Sequence, residues 1–196
     1  MSVEIVRNVL SSARQYLDQA LNDPQLLRAV ADAGDIISIA FKEGKKLYSC
    51  GNGGSMCDAM HLAEELTGRY RKNRAPLPAL SISDPSHMSC VGNDYGYQEV
   101  FSRFLDAHAN PGDILIAIST SGKSPNIIAA AELAKQRQMR IISLTGKPGS
   151  QLGKLANIDI CTPGGEFADR VQELHIKVIH TLIELVERKH FPENYL

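Results

Sequence analysis

Ile114-Leu115-Ile116-Ala117-Ile118 is apolar at every position. A strand with one wet face alternates apolar and polar residues, so an unbroken run like this one reads as a strand covered on both faces. Outward from it, the chain beyond Lys45 alternates strand-like and helix-like segments. Strands are expected near residues 46–50, 78–83, 113–118, 140–144 and 158–161, and helices near 55–71, 97–109, 125–138, 150–156 and 167–189. Strand–helix alternation with short loops defines an α/β fold, a five-stranded parallel sheet flanked by helices in three layers. Ligands of such sheets bind beyond the carboxyl ends of the strands.

Two further helices precede the sheet. In residues 2–21, Val3, Val6, Leu10, Ala13, Leu17 and Ala20 step by three and four, a heptad-like seam. Asn22-Asp23-Pro24 supplies an N-cap and a proline for a second helix, which runs to about Glu43 and stops at Gly44. The seam suits either a contact between subunits or packing on the chain's own sheet. The expected organisation is one domain over 1–196: a helical pair over 1–44, used in packing or oligomerisation, and an α/β core over 45–196.

The formal net charge is −1, which disfavours a grip on nucleic acid through bulk charge. Cys50, Cys57, Cys90 and Cys161 form no CxxC pair and read as free thiols in a reducing compartment. Glu4 and Arg7 interrupt any signal-like apolar stretch, and no apolar run approaches the ~20 residues a membrane span requires. The expected location is cytoplasmic, with neither membrane nor nucleic acid as partner.

Four motifs carry chemistry. Gly51-Asn52-Gly53-Gly54-Ser55 follows a strand-like run and opens a helix, so bare backbone and a helix N-terminus face any ligand there. Met56 occupies the third glycine position of a dinucleotide fingerprint, which disfavours NAD; contact with substrate hydroxyls or phosphate, or a plain tight turn, remain. Ser119-Thr120-Ser121-Gly122-Lys123-Ser124-Pro125-Asn126 places four hydroxyls at the start of a helix, with Ser124 as N-cap, and can wrap a phosphate or simply cap a turn. It lacks Walker A spacing, so nucleotide triphosphate hydrolysis is disfavoured. Asp58, His61, Glu65 and Arg69 share one face of the helix after the glycine turn, as a functional stripe or a solvated face. The last helix embeds Asp169, Gln172 and His180 among apolar residues, and buried polar groups need partners. His108, His175 and His190 read as structural or surface residues.

With these residues assembled, the chain resembles the phosphoheptose isomerases of the SIS (sugar isomerase) family. The resemblance rests on Cys50-Gly-Asn-Gly-Gly-Ser55, Asp58-Ala-Met-His-Leu-Ala-Glu-Glu65, Gly92-Asn-Asp94, Ser119-Thr-Ser-Gly122 with Ser124, and Arg170-Val-Gln-Glu-Leu-His175 leading to His180. It implies a flavodoxin-like SIS fold and a homotetramer with active sites at subunit interfaces. It also implies one Zn²⁺ per subunit, held by His61, Glu65, Gln172 and His180. The implied acid–base pair is Glu65 and His180. Implied substrate contacts are Asn52, Gly53, Gly54, Ser55, Glu65, Asn93, Asp94, Ser119, Thr120, Ser121, Ser124, Asp169 and Gln172.

The implied reaction turns sedoheptulose 7-phosphate into D-glycero-D-manno-heptose 7-phosphate through an ene-diol, the first step towards the ADP-heptose of lipopolysaccharide core. Gln172 and His180 stand eight residues apart, about 12 Å along one helix, so ligands from more than one subunit are expected on one ion. The alternatives are a non-catalytic SIS protein that binds a replication initiator, a sugar-phosphate sensor, and an isomerase of another sugar phosphate. Glu65 and His180 together favour catalysis, and Glu64-Glu-Leu-Thr-Gly-Arg-Tyr70 favours the heptose branch.

Overall fold

Residues Ile114 to Ile118 are fully buried and form the middle of the sheet, as their composition requires. The computed structural model describes residues 1–196. Helices α1 (Ser2–Leu21) and α2 (Pro24–Lys42) lead into β1 (Leu47–Gly51), α3 (Gly54–Thr67), β2 (Ala79–Ser81), α4 (Pro85–Asp94), α5 (Ser102–His108) and β3 (Ile114–Ser119). Then follow α6 (Pro125–Gln136), β4 (Arg140–Thr145), α7 (Gln151–Leu155), β5 (Ile158–Cys161) and α8 (Ala168–His190), with short 3₁₀ turns at Tyr97–Glu99 and Pro192–Tyr195.

All five strands are parallel, in the order β2-β1-β3-β4-β5. Leu115 of β3 lies opposite Tyr48 of β1 and Ile141 of β4. The pleat sends Ile114, Ile116 and Ile118 into a core shared with α2, α3 and α8, and Leu115 and Ala117 into a second core beneath α5, α6 and α7. The winding direction reverses between β1 and β3, and the crevice outside their carboxyl ends is where such a sheet takes a ligand.

The second helix begins as its sequence requires: Asp23 accepts hydrogen bonds from the Gln25 and Leu26 N–H groups, and Pro24 follows. The helix expected over 97–109 divides into the 3₁₀ turn and α5, because Gly96 at φ +93° and the turn after it interrupt the helical path. Helix α4 was not expected from the sequence; its residues carry little apolar periodicity, and only Val91 is buried. Of α1, only Ala20 is buried, while Val3, Val6 and Leu10 of the seam stand largely in solvent. The seam therefore divides: Leu17 and Ala20 join the core on the chain's own sheet, while its N-terminal half is left uncovered. No helix is long and apolar enough to cross a membrane.

Candidate active site

Helices α3 and α8 lie side by side on one face of the sheet and carry the ionisable groups. α3 starts at the glycine turn, where Gly53 adopts φ +55°, a left-handed conformation that glycine takes without strain. His61, about two turns further on, meets His180 of α8 with their Nε2 atoms 2.9 Å apart. Glu65 Oε1 lies 3.7 Å from the same His61 nitrogen. On the other side of the ring, Glu64 Oε1 lies 2.9 Å from His61 Nδ1. A carboxylate there favours a proton on Nδ1 and turns the Nε2 lone pair towards Glu65 and His180.

Burial, reinforced by the Glu64 carboxylate, pushes the Glu65 pKa up. Burial also pushes the His180 pKa down, and the positive charges near it, His61 first, add to this. Both shifts favour the neutral form and bring a carboxyl and an imidazole closer in proton affinity, which suits proton transfer between substrate atoms. Tyr70 packs on the His180 ring at 5.6 Å between centroids, and Arg71 covers Tyr70 at 5.0 Å. An open cleft of about 320 Å³ begins at His180 and is bordered by Tyr70, Arg71, Glu184 and Arg188.

The crevice between β1 and β3 carries the hydroxyl and amide groups. Asn52, after β1, and Asn126, in the first turn of α6, exchange two hydrogen bonds: Asn52 Nδ2 to Asn126 Oδ1 at 2.9 Å, and Asn126 Nδ2 to Asn52 Oδ1 at 2.8 Å. Tyr97 donates its hydroxyl to Asn52 Oδ1 at 3.2 Å. Ser124 is the N-cap of α6, as expected, with its carbonyl accepting from the Ile127 and Ile128 N–H groups and its side chain making no cap hydrogen bond. Instead Ser124 Oγ lies 3.1 Å from Ser119 Oγ, which also accepts from the Gly122 N–H. Ser121 Oγ accepts from the Lys123 N–H, and Thr120 sits on the same loop. Ser119, Thr120, Ser121 and Ser124 thus gather in one loop between β3 and α6.

The remaining expected residues are dispersed. Ser55 is buried in the first turn of α3. Asn93 and Asp94 end α4, exposed and hydrogen-bonded to each other. Asp169, exposed in the first turn of α8, accepts from the Arg170 N–H. Arg69 lies beyond Thr67, the last residue of α3, so it does not share the helical face of His61 and Glu65; Gly68 ends the helix first. Gln172 lies against Gly54, far along α8 from His180: a Cβ built on Gly54 would come 2.8 Å from Gln172 Nε2. Within one protomer the expected metal ligands thus divide into a converging trio, His61, Glu65 and His180, and a separate Gln172. Asp58, one turn before His61, buries an Oδ2 without a hydrogen-bond partner, and burial pushes its pKa up to about 6.

His61, Glu64 and Glu65 each bring one donor atom to within 4.8 Å of the others, and His180 adds an imidazole nitrogen 2.9 Å from His61 Nε2; nitrogens and carboxylate oxygens of this kind are donors that zinc accepts. Sequence reading missed Glu64, Tyr70, Tyr97 and Asn126 as members of this region. Asn126 stands inside the serine-rich motif, and Glu64 and Tyr70 sit next to residues that were singled out, so adjacency was the available signal.

Residues 10–146 match the family model of the SIS domain. The phosphoheptose isomerase of Hamiltonella defensa is 53% identical over 96% of this chain and 92% of its own length, and that of Cytophaga hutchinsonii is 55% identical over 91% and 94%. The structure of a phosphoheptose isomerase from Francisella tularensis superposes with a TM-score of 0.89 at 31% identity, covering 96% of this chain and 99% of the other. The chain belongs to the phosphoheptose isomerase family, and it is an isomerase.

Proposed function

We propose that this isomerase converts sedoheptulose 7-phosphate to D-glycero-D-manno-heptose 7-phosphate. The observation that carries the reading is the approach of Glu65 and His180, from helices distant in sequence, to the same nitrogen of His61. A sensor or an initiator-binding protein has no use for such a pair, whereas an aldose–ketose isomerase requires it. Ser119, Thr120, Ser121 and Ser124 hold the phosphate, and Asn52, Gly53, Gly54, Ser55, Asn93, Asp94 and Asp169 hold the sugar hydroxyls. Phosphate binding remote from the reacting carbons then orients the chain of the sugar.

In this reading His180 moves protons at the sugar oxygens, first in opening the ring. Glu65 removes the proton from C1, beside the C2 carbonyl, to give the ene-diol, and a proton returned to C2 gives the aldose. Placed proton transfer of this kind contributes ~10²–10⁴ in rate. A zinc ion held by His61, Glu65, His180 and Gln172 supplies polarisation of the carbonyl when bound. Gln172 stands some two turns of α8 from His180, so the ligand set is completed by a second copy of the chain, in a homotetramer whose interfaces carry the active sites. The exposed α1 seam supports that assembly. Action on a soluble sugar phosphate places the protein in the cytoplasm, as the first enzyme towards ADP-heptose.

The test incubates the pure protein with sedoheptulose 7-phosphate and follows aldose formation with and without a chelator. Glu65→Gln and His180→Ala are expected to lower kcat by ~10²-fold or more with the fold intact. Wild-type rates in both variants would refute the assignment.

A further inference from the structure

The side chains of Arg74 and Glu187 are both about 1% exposed and form an ion pair, with Arg74 Nε donating to Glu187 Oε1 at 2.7 Å. The pair lies outside the motifs discussed above. The Nη groups of Arg74 donate to four backbone carbonyls, three of them at the end of α3. Nη2 donates to the carbonyl of Glu65 at 2.6 Å, and Nη1 donates to the carbonyls of Leu66, Gly68 and Ala75 at 2.7, 3.0 and 3.2 Å. These include carbonyls a helix leaves without a partner at its C-terminus, and a five-donor fork can serve several of them at once. Glu187 stands on α8 two turns beyond His180. Its second oxygen accepts from the Tyr195 hydroxyl at 2.7 Å, so the 3₁₀ turn at the end of the chain closes the pair.

We propose that Arg74 is a positioning residue for the acid–base pair. One guanidinium grips the backbone carbonyl of Glu65 itself, and through Glu187 it also holds the helix that carries His180. It thereby sets how far α3 and α8 are offset along each other, and so the meeting of Glu65, His61 and His180. A lysine retains the charge but offers a single ammonium in place of the fork, and cannot bridge the α3 carbonyls and Glu187 together. Misplacement of reacting groups by about 1 Å costs up to ~10²-fold in rate. Tyr195 is the outer member of the device: without its hydroxyl, one carboxylate oxygen of Glu187 loses its partner.

This inference rests on the isomerase reading for its kinetic test only. Wild type, Arg74→Lys, Glu187→Gln and Tyr195→Phe are assayed as full-length chains with sedoheptulose 7-phosphate, below the melting temperature of each. Crystal structures of wild type and of the variants measure the His61–His180 separation. Arg74→Lys and Glu187→Gln are expected to lose about tenfold or more in kcat with KM within about twofold, and to widen the separation; Tyr195→Phe is expected to show a smaller loss in the same direction. A purely structural pair would lower the melting temperature and leave kcat and the separation unchanged, and that result overturns the proposal. If Arg74→Lys does not fold, Glu187→Gln and Tyr195→Phe decide on the same criteria. An inactive wild type would refute the substrate assignment instead, and the separation would still decide this one.

Discussion

Gln172 of α8 lies directly over Gly54 at the first turn of α3, so close that a methyl group on Gly54 would meet its amide at 2.8 Å. The contact joins the glycine turn to the helix that carries His180, and any side chain at position 54 would have to push the Gln172 amide aside. It also fixes where Gln172 is in a single protomer: beside the crevice, not beside the histidines.

Gly54→Ala is therefore expected to displace the Gln172 amide while leaving the helix intact, since alanine is the better helix former. The far end of a flexible side chain moves cheaply, so the melting temperature should stay close to that of wild type. Turnover should fall about tenfold or more, because a polar group in the crevice has lost its place. Thermal denaturation and steady-state kinetics on the same preparation check both halves.

Glu64 is exposed, yet it sits 2.9 Å from His61 Nδ1 and biases which ring nitrogen carries the proton. Glu64→Gln removes that bias without removing any proposed ligand. Zinc affinity, measured by competition with a chromogenic chelator, is expected to weaken by ~10–100-fold. An unchanged affinity would mean that Glu65 and His180 alone hold His61 in place.

His175 offers a pH test unrelated to turnover. It is fully buried, with Nε2 3.1 Å from the Thr145 carbonyl oxygen, and desolvation pushes its pKa down to about 4 from 6.5. The unfolded chain therefore binds a proton that the folded chain refuses. Stability from this group is complete above pH 6.5, declines as the pH falls towards 4, and changes no further below that. The loss amounts to about 3 kcal/mol across the window. His175→Gln keeps a donor for Thr145 and cannot titrate, so its urea midpoint should fall less between about pH 7 and about pH 4 than that of wild type.

Val6 and Leu10 are 57% and 65% exposed on α1, in a stripe that a soluble chain gains by covering. Val6→Glu combined with Leu10→Glu is expected to shift the proposed homotetramer to smaller species by light scattering, and to reduce activity in parallel by about tenfold or more if the site is shared between copies. A dissociated variant with full activity would show that each protomer holds a complete site.

Much of this was legible in the sequence because it is local. Unbroken apolarity made residues 114–118 a two-sided strand, Asp23-Pro24 started a helix, and the glycine and serine clusters marked loops at strand ends. The periodicity of three and four placed His61 and Glu65 on one face of one helix. Short-range sterics and burial suffice for each of these. Helix α4 escaped because it lies shallow on the surface, where no apolar rhythm is required. The extent of α3 was overread because Gly68 outweighed the polar stripe that continues to Arg69.

The meeting of His61 with His180 across 119 residues, the seat of Gln172 on Gly54, and the buried pairing of Arg74 with Glu187 belong to another level. Residue types alone establish that such groups exist and that burial obliges them to find partners. Which partners they find depends on how α3 and α8 are laid against each other on the sheet, and that offset comes from the summed packing of many apolar side chains rather than from any local pattern.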